Sequence, residues 1–264
     1  MMRRAILDKV ATSVPMAHLD LTREHRYFMA LTHAAEDPGY MRFFRERSQQ
    51  GGYVILDNST VELGQPEEIT TYVAKAIQME ADEILLPDWL HEKDRTLREV
   101  DYGIHEALER GYQGEFMAVP QGRTQQEWLQ CAREMLDYPI HTLGISRRYR
   151  PMFGTSRLFS VIALRNACME RNRPDVKIHL LGCAGQPETD VAPCLQLPYV
   201  QGVDSSLPCL FAKVNRLLEK GAERPLVSVD FFEDKYEVGV LKRNIEAWLA
   251  LCSRHEVYVY STAL

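Results

Sequence analysis

Carboxylates recur where short apolar segments of this sequence end. Asp204 stands in "GVDSSLP", after the apolar lead-in "LPYVQ", and Asp57 and Asp88 hold similar places in "YVILDN" and "EILLPDW". Carboxylates that share one pocket must be compensated by pKa shifts or by a ligand. Two of them suit bond exchange at a sugar anomeric carbon, because one attacks the carbon while the other transfers a proton to or from the leaving base.

An acid and an amide at neighbouring strand ends suit recognition of a purine edge. A carboxylate accepts from the ring N–H and the exocyclic amine of guanine, and an amide side chain and a backbone N–H donate to its oxygen. Gln121 ends "EFMAVPQ", and Gly144 and Ser146 lie in "HTLGIS". A single polar residue at a strand end commonly caps a helix or hydrogen-bonds within a turn. The convergence of several such residues on one rim is therefore what favours a functional site.

The pattern of apolar residues predicts strands that alternate with amphipathic helices. Such alternation implies a parallel sheet covered by helices, and at this length a (β/α)8 TIM-type barrel is favoured over an open doubly wound sheet. A barrel would bring the polar strand ends together at its C-terminal rim. The predicted strands are 27–32, 53–58, 83–89, 115–121, 141–146, 177–182, 199–205 and 225–231, with "VYVYSTAL" as a further candidate; the predicted helices are 66–80, 124–136, 156–171 and 210–221, the last capped by Gly221.

Composition limits the classes of protein to which the chain can belong. Its 264 residues, 45% hydrophobic and 26% charged, are typical of a globular protein, here interpreted as a single domain over 1–264. No apolar run is long enough for a bilayer and no secretory signal is recognisable, so we expect a cytoplasmic protein without a membrane partner. The six scattered cysteines lack zinc-site spacing, which favours reduced, buried thiols and no metal. A net charge of -6 argues against a wholly basic surface but allows a local basic patch.

Six segments in order, from about residue 50 to residue 212, resemble the tRNA-guanine transglycosylase superfamily. The resemblance is greatest to its compact DNA-modifying branch, the DNA 7-deazaguanine transglycosylases of phages and bacteria. "VDSSLP" resembles the nucleophile segment, "YVILDNSTVELG" the acid/base strand, and "PEEITTYVAKAIQMEADEILLPDW" the helix and strand that deliver a base-recognising Asp. "AVPQG", "HTLGIS" and "IHLLG" resemble the Val-Gln-Gly, Gly-Gly-Leu and Leu-Met-Gly strand ends.

The resemblance implies a pentosyltransferase that exchanges guanine in DNA for a 7-deazaguanine base without a cofactor. Asp204 would be the nucleophile on C1′ and Asp57 the general acid/base, and Asn58 and Ser59 replace glycines of the family motif at the substrate pocket. The partners would be DNA, guanine and a free preQ0-like base, in the host cytoplasm if a phage encodes the chain. The assembly state is open, with a homodimer among the options.

The base itself would be held by residues of three strand ends. The resemblance places Asp88 on the amine and ring N–H side, Gln121 and the Gly144 backbone on the oxygen, and Ile145 near the 7-substituent. The zinc subdomain of the tRNA enzymes is expected to be missing, because only Cys209 and Cys252 follow the nucleophile segment. One strand–helix unit is also expected to be missing between "FMALT" and "VILDN".

A basic loop follows the Gly144 strand end. "SRRYRPMFGTSR" suits phosphate contact beside the pocket, although a solvated charge cluster is the alternative. A base stacked in a duplex must be flipped out before it reaches such a pocket. The residues expected to contact nucleic acid are Arg147, Arg148, Arg150, Arg157 and, in a later helix, Lys213.

Three other functions remain open at this point. A tRNA-guanine transglycosylase of the queuosine or archaeosine pathway is disfavoured by the short chain and the missing zinc module. A catalytically inactive nucleic-acid-binding barrel is disfavoured because Asp57 and Asp204 are both present. A metal-dependent hydrolase is disfavoured as well, since the histidines form no His-x-His motif.

Overall fold

The computed structural model describes residues 6–154, 156–183 and 185–253, and its centre is a barrel of eight parallel strands. The hydrogen-bonded order is β1-β8-β7-β6-β5-β4-β3-β2, and β1 lies beside β2, so that the barrel is nearly closed. The (β/α)8-type architecture predicted from the sequence is confirmed. The strands are β1 (Val10–Thr12), β2 (Tyr27–Leu31), β3 (Tyr53–Asp57), β4 (Glu83–Leu85), β5 (Glu115–Ala118), β6 (Thr142–Ser146), β7 (Lys177–Leu181) and β8 (Val200–Ser205).

Helices cover the outside of the barrel, and their ends are set by local signals. Asp37 accepts from the backbone N–H groups of Gly39 and Tyr40 at the start of helix Pro38–Gln49, and Thr124 accepts from Glu127 N at the start of helix Gln125–Met135. The helices are α1 (Pro38–Gln49), α2 (Thr60–Leu63), α3 (Ile69–Met79), α4 (Lys93–Glu109), α5 (Gln125–Met135), α6 (Leu158–Glu170), α7 (Pro187–Asp190), α8 (Ala192–Leu195), α9 (Leu207–Lys213) and α10 (Val238–Cys252); 3-10 segments cover Met16–Thr22, Thr32–Ala34 and Arg147–Phe153.

The sequence prediction missed the first strand of the barrel and added a strand near its end. β1 has only three residues and was not predicted, and no strand–helix unit is missing before β3, because β2 pairs with β3 directly and α1 connects them. The predicted strand 225–231 is wrong: this stretch has no regular structure, and at its end the Phe231 carbonyl accepts from Met16 N at 3.0 Å. The candidate strand "VYVYSTAL" lies outside the described residues.

The predicted helix over 210–221 is also wrong in its length, because α9 ends at Lys213. Asn215 adopts a left-handed φ of 51°, and Arg216 N donates to the Phe211 carbonyl at 2.9 Å, which closes the helix in a Schellman-type turn. Asn244 of α10 then binds the freed backbone, accepting from Leu218 N at 2.8 Å and donating to the Arg216 carbonyl at 3.0 Å. Gly221 therefore lies in the irregular stretch between α9 and α10.

All six cysteines are free and buried, as the sequence predicted. Burial raises the pKa of the Cys131, Cys183 and Cys194 thiols to about 12 and that of Cys168 to about 11. The same cause raises the pKa of Cys209 and of Cys252. At neutral pH these thiols are protonated and pack as small apolar side chains.

A polar layer crosses the barrel interior below the rim. Glu83 is fully buried, and its Oε2 accepts from the Tyr53 hydroxyl and from Gln201 Nε2, both at 3.1 Å. Thr142 Oγ1 donates to Gln201 Oε1 at 2.7 Å. Burial raises the pKa of Glu83 to about 7, against the opposing effect of the hydrogen bonds from Gln201 and Tyr53.

This raised pKa makes stability depend on pH with a definite sign. The folded state holds the Glu83 proton more tightly than the unfolded state, so this group costs stability as pH rises from about 4.5 to about 7. We expect the wild-type protein to lose about 2–3 kcal/mol of unfolding free energy between pH 5 and pH 8 that Glu83→Gln retains. Urea unfolding at the two pH values measures this change in unfolding free energy, and Glu24→Gln, at an exposed position, is the matched control. Equal pH dependence in the wild-type protein and both variants would contradict the prediction.

Candidate functional site

A cavity of about 320 Å³ opens at the C-terminal rim of the barrel. Ends of six strands contribute to its wall, as expected for a site in this fold. Five predicted site residues with carboxylate or amide side chains converge there: Asp57 at the end of β3, Asn58 directly after it, Asp88 after β4, Gln121 after β5 and Asp204 on β8. The predicted Arg147 and Arg148 also line it, whereas Ser59 does not.

Asp204 is held in place through one of its carboxylate oxygens. Its Oδ1 accepts from Gly182 N at 3.1 Å and lies 3.1 Å from Nε2 of His179. The Asp204 side chain is 15% exposed, so it remains open to the cavity. An oriented and accessible carboxylate at this position is suited to nucleophilic attack.

His179 was not predicted as a site residue. Its ring is fully buried inside the barrel, and its Nδ1 lies 2.7 Å from the Tyr27 hydroxyl. The available signal was strand alternation: Ile178 and Leu180 of β7 pack outward under the helices, so His179 must point inward, where a polar side chain needs a partner. The partner, Tyr27, is 152 residues away in sequence, which explains why the pairing was not foreseen.

Asp57 holds its proton more tightly than an ordinary aspartate. Burial and the nearby Glu62 carboxyl raise its pKa well above the usual value, and the charges of Asp204 and Asp88 add to this. A hydrogen bond of 2.7 Å from Ser59 N to Asp57 Oδ1 opposes the shift. The arrangement suits a general acid opposite a nucleophile. Glu62 itself, on α2, lines the cavity and was not predicted as a site residue.

Asp88 is oriented by two amide side chains. Asn58 Nδ2 donates to its Oδ1 at 3.1 Å, and Gln121 Nε2 donates to its Oδ2 at 2.6 Å. Burial raises the pKa of Asp88, while these hydrogen bonds oppose the shift. The Gln121 oxygen in turn accepts from Tyr149 Oη and from His91 N. Both ends of the Gln121 amide are therefore engaged within the protein, and its direct contact is with Asp88.

Asn58 and Ser59, which stand where the similar motif of the transglycosylases has glycines, differ in their position relative to the cavity. Ser59 is fully buried in a left-handed conformation, with φ of 54°, and its hydroxyl lies 2.8 Å from Nδ1 of His33. It therefore supports the loop after β3 and does not form part of the cavity wall. Asn58 lines the cavity and also donates to the Leu86 carbonyl at 3.1 Å, which ties the β3 loop to the β4 loop.

The predicted position of Ile145 beside a 7-substituent is wrong for its side chain. Successive residues of β6 face opposite sides, and Ile145 is fully buried in the outer core between strands and helices. Gly144 faces the barrel interior, where an added Cβ would lie 3.0 Å from Leu181 Cδ1 and from Val119 Cγ2. Neither residue lines the cavity.

Two of the predicted phosphate-binding arginines lie at the cavity and are joined by a third. Arg147, Arg148 and Arg224 line one side, and within the described ranges none of them forms an ion pair with a carboxylate. Arg147 packs on Gly182, where an added Cβ would lie 2.9 Å from Arg147 Cδ. Burial lowers the pKa of Arg147, and the charges of Arg224 and Arg148 lower it further.

The other predicted nucleic-acid contacts are not at the cavity. Arg157 is fully buried and pairs with Asp190 at 2.9 Å, so its expected phosphate contact is wrong. Lys213 is paired with Asp234 at 2.8 Å and does not line the cavity. Arg150 is half-buried in the segment after β6 and does not line it either.

The described residues contain no group of three or more His, Cys, Asp or Glu side chains arranged to hold a metal ion. Among the described helices, none has the length and apolar character needed to cross a membrane. Neither a family model nor a curated protein matches this chain.

Proposed function

We propose that the protein is a transglycosylase that exchanges guanine in nucleic acid, preferably DNA, for a 7-deazaguanine base. One observation carries the proposal: a single rim cavity holds a partly exposed Asp204 and an Asp57 whose pKa is raised. This pairs a nucleophile with a proton donor, which is the division of roles that base exchange requires. The resemblance of six ordered segments to the tRNA-guanine transglycosylase superfamily supports the same function.

In this proposal the exchange has two displacement steps. Asp204 attacks C1′ and forms an ester, the glycosidic bond breaks, and the electron pair leaves with the base nitrogen, which takes a proton from Asp57. The incoming base then loses its proton to Asp57 and attacks C1′, which releases Asp204. Two inversions give net retention at C1′. One glycosidic bond replaces another, so the balance of the reaction needs no further reactant.

Recognition of the base is assigned to Asp88. Its carboxyl lies in the cavity wall and suits the ring N–H and exocyclic amine of guanine. Asn58 and Gln121 both donate to Asp88, so we assign them to orienting it. The cavity volume of about 320 Å³ lies at the small end of the range for small-molecule sites, which suits one flipped-out nucleoside.

The test is base exchange with labelled guanine and three acceptors: duplex DNA, single-stranded DNA and tRNA. We expect incorporation into DNA, and we expect mass spectrometry to find a 7-deazaguanine nucleoside in DNA of cells that express the protein and make such bases. Incorporation into tRNA alone would show that the substrate is tRNA and not DNA. Binding of nucleic acid with no exchange at high enzyme concentration would instead favour an inactive binding barrel.

The cavity arginines lead to a prediction about salt dependence. If Arg147 and Arg148 meet DNA phosphates, replacing both by Ala should reduce the slope of log affinity against log salt by about 0.9 per lost contact on duplex DNA. Binding isotherms at four salt concentrations measure the slope. Arg26→Ala is the matched control, because Arg26 is exposed and precedes β2 at the opposite rim. An unchanged slope in the folded double variant would mean that DNA enters over another surface.

A further inference from the structure

We infer that His179 is a positioning residue that immobilises Oδ1 of Asp204 and leaves Oδ2 as the atom that attacks C1′. The inference rests on the proposed function for its chemistry and on the geometry of the barrel interior for its mechanism. It concerns a buried side chain that the six resembling segments do not assign a role.

The hydrogen-bond donors define the tautomer of His179. A carboxylate only accepts hydrogen bonds, so Nε2, at 3.1 Å from Asp204 Oδ1, must carry the hydrogen. In a neutral ring Nδ1 then accepts, and the group 2.7 Å from it is the Tyr27 hydroxyl. Tyr27 keeps its proton for this bond, because burial and the nearby charges of Glu83 and Asp204 raise its pKa well above the ordinary value. A neutral imidazole with hydrogen on Nε2 satisfies all three groups.

The two oxygens of Asp204 consequently differ. Oδ1 receives two hydrogen bonds, from His179 and from Gly182 N, which hold it in place and reduce its electron density. Oδ2 has no hydrogen-bond partner among the described residues, and the side chain is open to the cavity. The oxygen that forms the bond to C1′ is therefore Oδ2, while Oδ1 remains on its donors.

The partner of His179 is itself fixed from two sides. The Tyr27 ring stacks on the Tyr53 ring with centroids 5.7 Å apart and planes 7° apart. On β8, an added Cβ at Gly202 would lie 2.5 Å from the Tyr27 ring, so only glycine leaves room for it. Tyr27 and His179 are 2% and 0% exposed, and water does not compete for their hydrogen bond.

The experiment compares His179→Leu, His179→Gln and Tyr27→Phe with the wild-type protein. We expect His179→Leu to slow covalent adduct formation by about 10–100-fold, as for loss of other orienting partners, with the KM of the incoming base unchanged. His179→Gln should recover most of the rate, since its Nε2 amide can donate to Asp204. A wild-type rate in folded His179→Leu, or no recovery in His179→Gln, would overturn the inference.

A second measurement does not depend on activity. Nitrogen NMR of the resting protein should show His179 as the neutral tautomer with hydrogen on Nε2, and Tyr27→Phe should change its Nδ1 signal. Hydrogen on Nδ1 with none on Nε2 would overturn the inference even if the enzyme is active. If the wild-type protein forms no adduct with any nucleic acid, the proposed function fails, and the tautomer alone then decides whether His179 positions Asp204. The NMR result also decides the case if His179→Leu does not fold.

Discussion

Asp204→Asn is expected to abolish the covalent adduct between protein and nucleic acid. Gly182 N and His179 Nε2 both donate to Oδ1, so the asparagine should keep its oxygen there and present its nitrogen where Oδ2 stood. An amide nitrogen is a poor nucleophile towards C1′. We expect the exchange rate to fall by roughly 10⁴–10⁶-fold, as for removal of other nucleophiles.

Denaturing gels of the trapped adduct measure this effect directly. The matched control is Asp101→Asn, which removes an exposed carboxylate on α4 without touching the cavity. Because asparagine has the size of aspartate, a urea unfolding curve should show that the Asp204→Asn protein is folded. An adduct that persists in this variant would place the nucleophile on another residue.

The second large effect is expected on stability, at the buried Arg157. Its five N–H groups reach Asp190 Oδ1 and Oδ2 and the carbonyls of Ile145, Leu181 and Gly182, at 2.6 to 3.2 Å. The side chain thus joins the ends of β6 and β7 to α7. Arg157→Met removes the cation that pairs with the buried Asp190 and should cost about 3–5 kcal/mol of unfolding free energy.

Urea unfolding of matched variants separates this effect from an ordinary loss of charge. Arg171→Met breaks an exposed ion pair with Asp137 and should cost about 1 kcal/mol or less. The double variant Arg157→Met, Asp190→Leu should recover part of the loss, because it also removes the buried charge of Asp190. Equal losses for Arg157→Met and Arg171→Met would contradict the structural role of Arg157.

The barrel was predictable because its strands carry their own apolar pattern, whereas several site details depend on distant partners. Asp57, Asp88, Gln121 and Asp204 were found from their places at strand ends, and the structure brings them to one cavity. The short β1 offers too few residues for a pattern. The apolar alternation of 225–231 belongs to an irregular segment that pairs with none of the eight strands.

The errors at individual residues have the same origin. Arg157 stands in an arginine-rich segment of the kind that is usually exposed. Its burial depends on Asp190, 33 positions later. Ile145 was assigned to the base pocket because it follows Gly144 in the motif. Strand alternation instead directs its side chain into the outer core. His179 acquires its role from Tyr27 and Asp204, which local sequence does not connect. Pairings of this kind require the three-dimensional fold.

Because its cysteines are buried, the native chain should react little with thiol-labelling reagents. Maleimides and related reagents attack an accessible thiolate, and here all six sulfurs are both covered and protonated at neutral pH. A dye attached through Val61→Cys would sit on a residue that is 63% exposed and lines the cavity. Its fluorescence would follow the arrival of nucleic acid in real time, with every native cysteine left in place.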